Sequence, residues 1–183
     1  KMQKNASVEN VITMREYKSL LEHLAADGKW KVYFIVKFLA GTGCRASELA
    51  KLEKSCLSNG EFTLWTKGKI RTIMIPKHLI EESREYFKTV DSNYLFPNRF
   101  GEQITTRGIG CLIKKYGLKY KIREEVLHPH AFRHLFAILF LKENKNIALL
   151  SDILGHESLN TTAIYLRLSA AEQKKQLDRT VKW

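Results

Sequence analysis

One stretch of the chain changes its hydrophobic period, and that change limits the folds open to it. From Glu61 the apolar positions alternate: Phe62 and Leu64, then Ile70, Thr72 and Met74, on either side of Lys67-Gly68-Lys69. A period of two with a glycine at its midpoint marks two antiparallel strands joined by a tight turn. Pro76 ends the second strand, since it has no N–H to give to a ladder. A short strand is also expected at Tyr94-Leu95-Phe96. Elsewhere the spacing is helical, so the fold class is mainly α with a small antiparallel β-hairpin or sheet, an α+β chain.

The helical segments carry their own start and stop signals. Thr13-x-x-Glu16 reads as a capping box, with Leu20, Leu21 and Leu24 as the apolar face and Gly28 as the stop. Residues 30–39 are apolar on most sides and are expected in the core, with Gly41-Thr42-Gly43 breaking that helix and Arg45-Ala46-Ser47-Glu48 opening another. Further helices are predicted over residues 77–88, from Thr105 or Thr106 to Tyr116, and from Pro129, suited to a first turn, to about Glu143. Residues 147–154 form the next, with Gly155 as its C-terminal stop, followed by a short helical segment over 159–168. Ser169-x-x-Glu172 repeats the capping pattern before a charged terminal helix.

Charge points to a partner. Thirty-one Lys and Arg against nineteen Asp and Glu give +12, an excess that attracts polyanions such as nucleic acid. Cys44, Cys56 and Cys111 are odd in number and far apart, which disfavours a disulfide framework or a cysteine metal site and fits a reducing cytoplasm. No apolar run approaches the roughly 20 residues of a membrane span, and no secretory signal opens the chain. The first residues are polar and begin at Lys1, so an upstream domain is expected.

Four segments carry chemistry: Gly41-Thr42-Gly43-Cys44-Arg45-Ala46-Ser47-Glu48-Leu49; Lys67 on the hairpin; His130-Ala131-Phe132-Arg133-His134; and Leu154-Gly155-His156 followed by Tyr165. His130 and Arg133, three apart near a helix start, project from one face, where the helix N-terminus favours an anion. Plainer readings stand beside these. Arg45 could simply pair with Glu48 at i+3, and Lys69 shares the hairpin tip with Lys67. His130 and His134 have metal-ligand spacing, although Ala131 stands where a zinc protease carries Glu. His128, with His130 and His156, offers another set of imidazoles for a metal. Cys44 reads as a small buried hydrophobe.

In order and spacing these segments resemble the active site of the tyrosine recombinase (phage-integrase-like) family. The family pattern is an Arg in TG-x-R-x-SE-L, a Lys on a β-hairpin, H-x-x-RH, LGH, and a Tyr nine residues later in TT-x-x-Y. The resemblance runs from about Thr13 to the C-terminus. Two departures are visible: Leu135 follows the Arg-His pair where the family usually has Thr, and Leu166-Arg167 follow Tyr165 where it has Thr-His.

The resemblance implies a DNA breaking-rejoining fold and a catalytic set of Arg45, Lys67, His130, Arg133, His156 and Tyr165, with Glu48 as a support. Tyr165 would be the nucleophile and Lys67 the general acid. His130 would exchange the tyrosine proton, while Arg45, Arg133 and His156 hold the phosphate. No metal or other cofactor is implied. It also implies double-stranded DNA as substrate, a homotetramer on paired sites, accessory DNA-bending proteins as possible partners, and a cytoplasmic, nucleoid-associated setting in a prokaryote or mobile element. Residues 1–12 are expected to be a linker from an N-terminal DNA-binding domain and 13–183 the catalytic domain, with 169–183 a C-terminal helix that is either a solvated tail or an arm docking on a neighbouring protomer. Lys69, Arg71, Arg99, Arg107, Lys114 and Lys115 are the expected DNA contacts. The rival readings are a type IB topoisomerase-like enzyme and a DNA-binding module without catalysis.

Overall fold

The computed structural model describes residues 11–66, 68–155 and 170–181. Among them the elements run α1 (Met14–Ala26), α2 (Trp30–Thr42), α3 (Ala46–Leu49), α4 (Ser55–Asn59), β1 (Glu61–Thr66), β2 (Lys69–Met74), α5 (Lys77–Lys88), α6 (Thr106–Lys119), a single 3-10 turn (Glu124–Val126), α7 (Pro129–Glu143), α8 (Ile147–Leu154) and α9 (Ala170–Thr180). The chain divides into two compact units, Lys1–Phe136 and Ala137–Trp183, with the boundary inside α7. No described helix is long and apolar enough to cross a membrane.

The first unit is built around α2, which packs against α1, α3, α5 and α6. Val32, Phe34, Ile35, Val36, Phe38 and Leu39 are all buried, so this helix is apolar nearly all round, as a central helix must be. Phe38, Phe87 and Phe96 meet edge to face, with ring centroids 5.5 to 5.7 Å apart. Burying such a ring contributes about 2–3 kcal/mol, and the edge-on geometry adds to it. At the start of α1 the capping box forms as the sequence predicts: the Glu16 N–H donates to the Thr13 hydroxyl and the Thr13 N–H donates to the Glu16 carboxylate.

Two local differences from the sequence reading have physical causes. Gly41 lies inside α2, where a Cβ would come within 3.2 Å of Leu79 Cδ2; the glycine serves close packing, and the helix ends instead at Gly43, φ +67°. The segment at Tyr94 makes only an isolated bridge to Glu53, because its neighbours turn away before a ladder can grow. The short helix α4, which buries Cys56, left no periodic signal in five residues.

The hairpin forms, with Leu64 opposite Arg71 and Trp65 opposite Ile70. Ile70 and Met74 are exposed, however, while Ile73 and Ile75 are buried. The alternation that marked β2 is thus its outward set, and Arg71 shares the inward face with Leu64 and Ile73. A period of two reveals a strand but does not say which face is turned inward.

In the second unit, Asn146 caps α8 by accepting from the Leu149 N–H at 3.0 Å, and Gly155 ends it at φ +64°, the stop the sequence placed there. Leu150, Ser151 and Leu154 are buried. The helical segment expected over 159–168 and the cap expected at Ser169 lie outside the described residues.

Candidate active site

A cleft of about 460 Å³ opens in the first unit, lined among others by Arg45, Ser47, Thr106, His128, His130 and Arg133. Three chain segments converge there: the turn from α2 into α3, the first turn of α6, and the first turns of α7. Arg45, His130 and Arg133, read from separate motifs, therefore share one surface.

Arg45 is the N-cap residue of α3. Arginine has no acceptor with which to cap a helix in the manner of Thr13. Glu48, at the third helical position, does the local work: its Oε2 accepts from the Arg45 backbone N–H at 2.8 Å, and its Oε1 accepts from Arg45 Nη1 at 3.0 Å. The same Oε1 accepts from Arg71 Nε at 3.2 Å. Glu48 is 2% exposed, so a buried carboxylate is satisfied by one amide and two guanidiniums. The side chain of Arg45 remains 43% exposed, and that open part faces the cleft.

Arg133 is the largest fully buried side chain among the described residues, at 2% exposure. Its Nη1 donates to the Gly43 carbonyl at 2.6 Å, placing a cation at the C-terminal end of α2, where the helix dipole favours it. His130 sits one turn earlier on α7 and makes an edge-on contact with His134, ring centroids 4.4 Å apart. Loss of hydration first, then the charges of Arg133, His128 and Arg45, push its pKa below the usual imidazole value. His130 is therefore neutral near pH 7, the form able to accept a proton. His128 precedes α7, and its Nδ1 lies 3.2 Å from the Ala131 N–H, which ties the ring to the first turn of that helix. Cys44 is fully buried and its thiol is pushed up to about 12, so it packs and does not attack.

The other expected residues fall elsewhere. Arg107 is exposed in the first turn of α6, beside the cleft residue Thr106. Lys69 is exposed at the start of β2. Arg71, expected to face DNA, is turned inward onto Glu48. Arg99 lies over the ring of Phe100, Lys114 pairs with Glu124 at 2.6 Å, and Lys115 lies over Tyr116. Lys67, His156 and Tyr165 lie outside the described residues. No group of three His, Cys, Asp or Glu side chains able to hold a metal occurs among the described residues. Sequence reading missed Ser47 and Thr106 as cleft residues. Ser47 was within reach, since it stands between Arg45 and Glu48; Thr106 was not, because only the fold brings α6 to this rim.

Residues 10–172 match the profile of the Phage integrase family. The chain belongs to that family. Tyrosine recombinase XerA of Pyrococcus furiosus is 36% identical over 177 residues, covering 92% of this chain and 60% of the relative. The chain thus spans about three fifths of that relative's length. The crystal structure of XerA recombinase is similar in fold, with a TM-score of 0.77 at 27% identity over 100% of this chain and 67% of the other. The structure of the Tn1549 transposon integrase in complex with transposon right end DNA gives a TM-score of 0.81 at 19% identity, covering 98% of this chain and 68% of that one, a likeness of fold.

Proposed function

We propose that this phage integrase family chain is the strand-cleaving part of a site-specific DNA recombinase. The observation that carries the proposal is the meeting of Arg45, His130 and Arg133 in one cleft, with the Arg45 guanidinium open to it and His130 held neutral. Two guanidiniums suit the non-bridging oxygens of a phosphodiester, which they match bidentately. Charge stabilisation and positioning are most of what phosphoryl transfer requires.

In the proposed step the Tyr165 oxygen forms a bond to the phosphorus and the bond to the 5′-oxygen breaks. The tyrosine proton passes to His130, Lys67 protonates the leaving 5′-hydroxyl, and His156 donates a hydrogen bond to the phosphate. The 3′-phosphotyrosine preserves the bond energy, so a 5′-hydroxyl from a second strand can reverse the attack without ATP. Exchange would proceed through a Holliday junction in a homotetramer on paired sites in the cytoplasm. Residues 169–183 would dock on a neighbouring protomer, and accessory DNA-bending proteins would assist. Lys69, Arg99, Arg107, Lys114 and Lys115 would contact DNA outside the cleft.

The test is covalent capture. The full-length protein is incubated in EDTA with a duplex carrying its recombination site and a nick beside the cleavage point, so that the released fragment diffuses away. The expected result is a shifted band on a denaturing gel, lost in Tyr165→Phe and weakened in Lys67→Ala. An adduct that persists in Tyr165→Phe overturns the nucleophile. No adduct on DNA that is demonstrably bound overturns the catalytic reading in favour of a binding module.

A further inference from the structure

An arginine that must hold a phosphate is poorly served by a carboxylate partner. The pair orients the guanidinium but cancels its charge, and at short range in a partly dehydrated site that cancellation is severe. Arg45 faces this conflict, since Glu48 fixes both its backbone N–H and its Nη1.

The structure contains a remedy. Arg71 Nε reaches the same Glu48 Oε1 at 3.2 Å, from a side chain only 10% exposed that is not part of the cleft lining. It arrives by an independent route, on the inward face of β2 opposite Leu64, so the hairpin ladder fixes its position. Its Nη1 also donates to the Thr72 carbonyl at 3.3 Å, which pins the guanidinium to its own strand. Two guanidiniums on one carboxylate leave one positive charge, and the exposed member of the trio, Arg45, is the one that presents it.

We infer that Arg71 is a positioning residue for phosphate binding: it shares the Glu48 carboxylate from beneath, so that Glu48 can orient Arg45 without neutralising it. The inference rests on the phosphoryl-transfer reading given above. It goes further in assigning the hairpin an electrostatic task at its base, separate from that of any residue at its tip. Arg71 is not among the residues that line the cleft, and its route to the phosphate runs through Glu48.

Charge restoration tests this directly. Adduct formation is followed in a single turnover on the nicked duplex, with full-length protein in excess over DNA and DNA affinity measured alongside. Arg71→Met is expected to slow the step by about tenfold to a hundredfold, below the roughly hundredfold to thousandfold cost of removing a donor that touches the reacting group itself, with DNA affinity changed by less than about threefold. Adding Glu48→Gln to Arg71→Met returns the trio to one net positive charge, and the double variant is expected to be faster than Arg71→Met. Arg71→Lys, which keeps the charge, is expected to stay within about fivefold of the parent. It also carries the test if urea melts show that Arg71→Met does not fold. Removal of a merely structural side chain would give additive losses in the double variant. An unchanged rate in Arg71→Met, a double variant as slow as the sum of its singles, or a loss in Arg71→Lys as deep as that expected of Arg71→Met overturns the inference while leaving the recombinase reading intact. Absence of any adduct with the parent, or its persistence in Tyr165→Phe, overturns the reading and this inference with it.

Discussion

Two helix starts in the first unit use the same local device to different ends. In α1, Glu16 caps the Thr13 N–H and receives Arg123 through Nε at 2.5 Å and Nη2 at 3.0 Å, while the same Nη2 donates to the Val11 carbonyl. In α3, Glu48 caps the Arg45 N–H and receives Arg45 and Arg71. Both carboxylates sit at the third helical position and both tie distant segments together. The first has a hydroxyl at its N-cap, sits near the surface, and secures the entry of the chain. The second has an arginine where no helix gains from one, lies fully buried, and leaves that arginine facing a cleft. The contrast shows that a capping pattern locates a helix, whereas a residue that serves the cap badly locates a function.

The largest expected effect breaks the second knot. Glu48→Ala leaves Arg71, only 10% exposed, without its carboxylate; the loss should be about 3–5 kcal/mol in urea melts, together with loss of adduct formation. Glu16→Ala removes a cap and a partly exposed ion pair, for about 1–2 kcal/mol, with cleavage unchanged. Equal stability losses, or equal effects on cleavage, would erase the distinction between the two sites.

Acid separates them by another route. The hydrogen bond from Arg123, together with those from Thr13 and the Arg123 charge, holds the Glu16 pKa at about 2 against its ordinary 4.5. A carboxylate with a depressed folded pKa contributes stability that is fully present above pH 4.5 and is lost as pH falls towards about 2. The parent should therefore lose stability more steeply over that window than Glu16→Gln does, as read by thermal melts at stepped pH.

The smallest expected effect lies in the cleft. Burial first, then the charges of Arg133, His128 and Arg45, disfavour His130 as a cation, so its folded pKa lies below 6.5 and the acid limb of the cleavage rate should too. Replacing Arg45 with Gln makes protonation easier, and the limb of the residual activity should move upward towards pH 6.5. A limb that stays in place would detach Arg45 from the titration of His130.

Much of this was legible in the sequence where a residue type has one local use. Thr13 with Glu16, Pro129 at the first turn of α7, Gly155 beyond α8 and the span of α5 all follow from backbone chemistry that needs no partner. Arg45, His130 and Arg133 were legible as motif members, and the family resemblance implied that they share one site; spacing alone did not show it, since their meeting depends on α2, α3, α6 and α7 converging. The role of Arg71 was hidden by the hairpin. A basic residue between Ile70 and Thr72 reads as solvent-facing until the ladder shows that Ile70 is the one left outside. The strand expected at Tyr94 failed for a related reason, because strand propensity needs a partner edge to become a ladder.

The bond from Arg133 to the Gly43 carbonyl bears on how the cleft withstands mutation. Its acceptor belongs to the main chain, and every amino acid supplies the same oxygen, so no side-chain replacement can delete it. What can be lost is the bend that presents it, and that bend stands at φ +67°, where any residue but glycine is strained. This contact of the buried cation is thereby insulated from side-chain drift, and its own vulnerability is gathered into one position with no side chain at all.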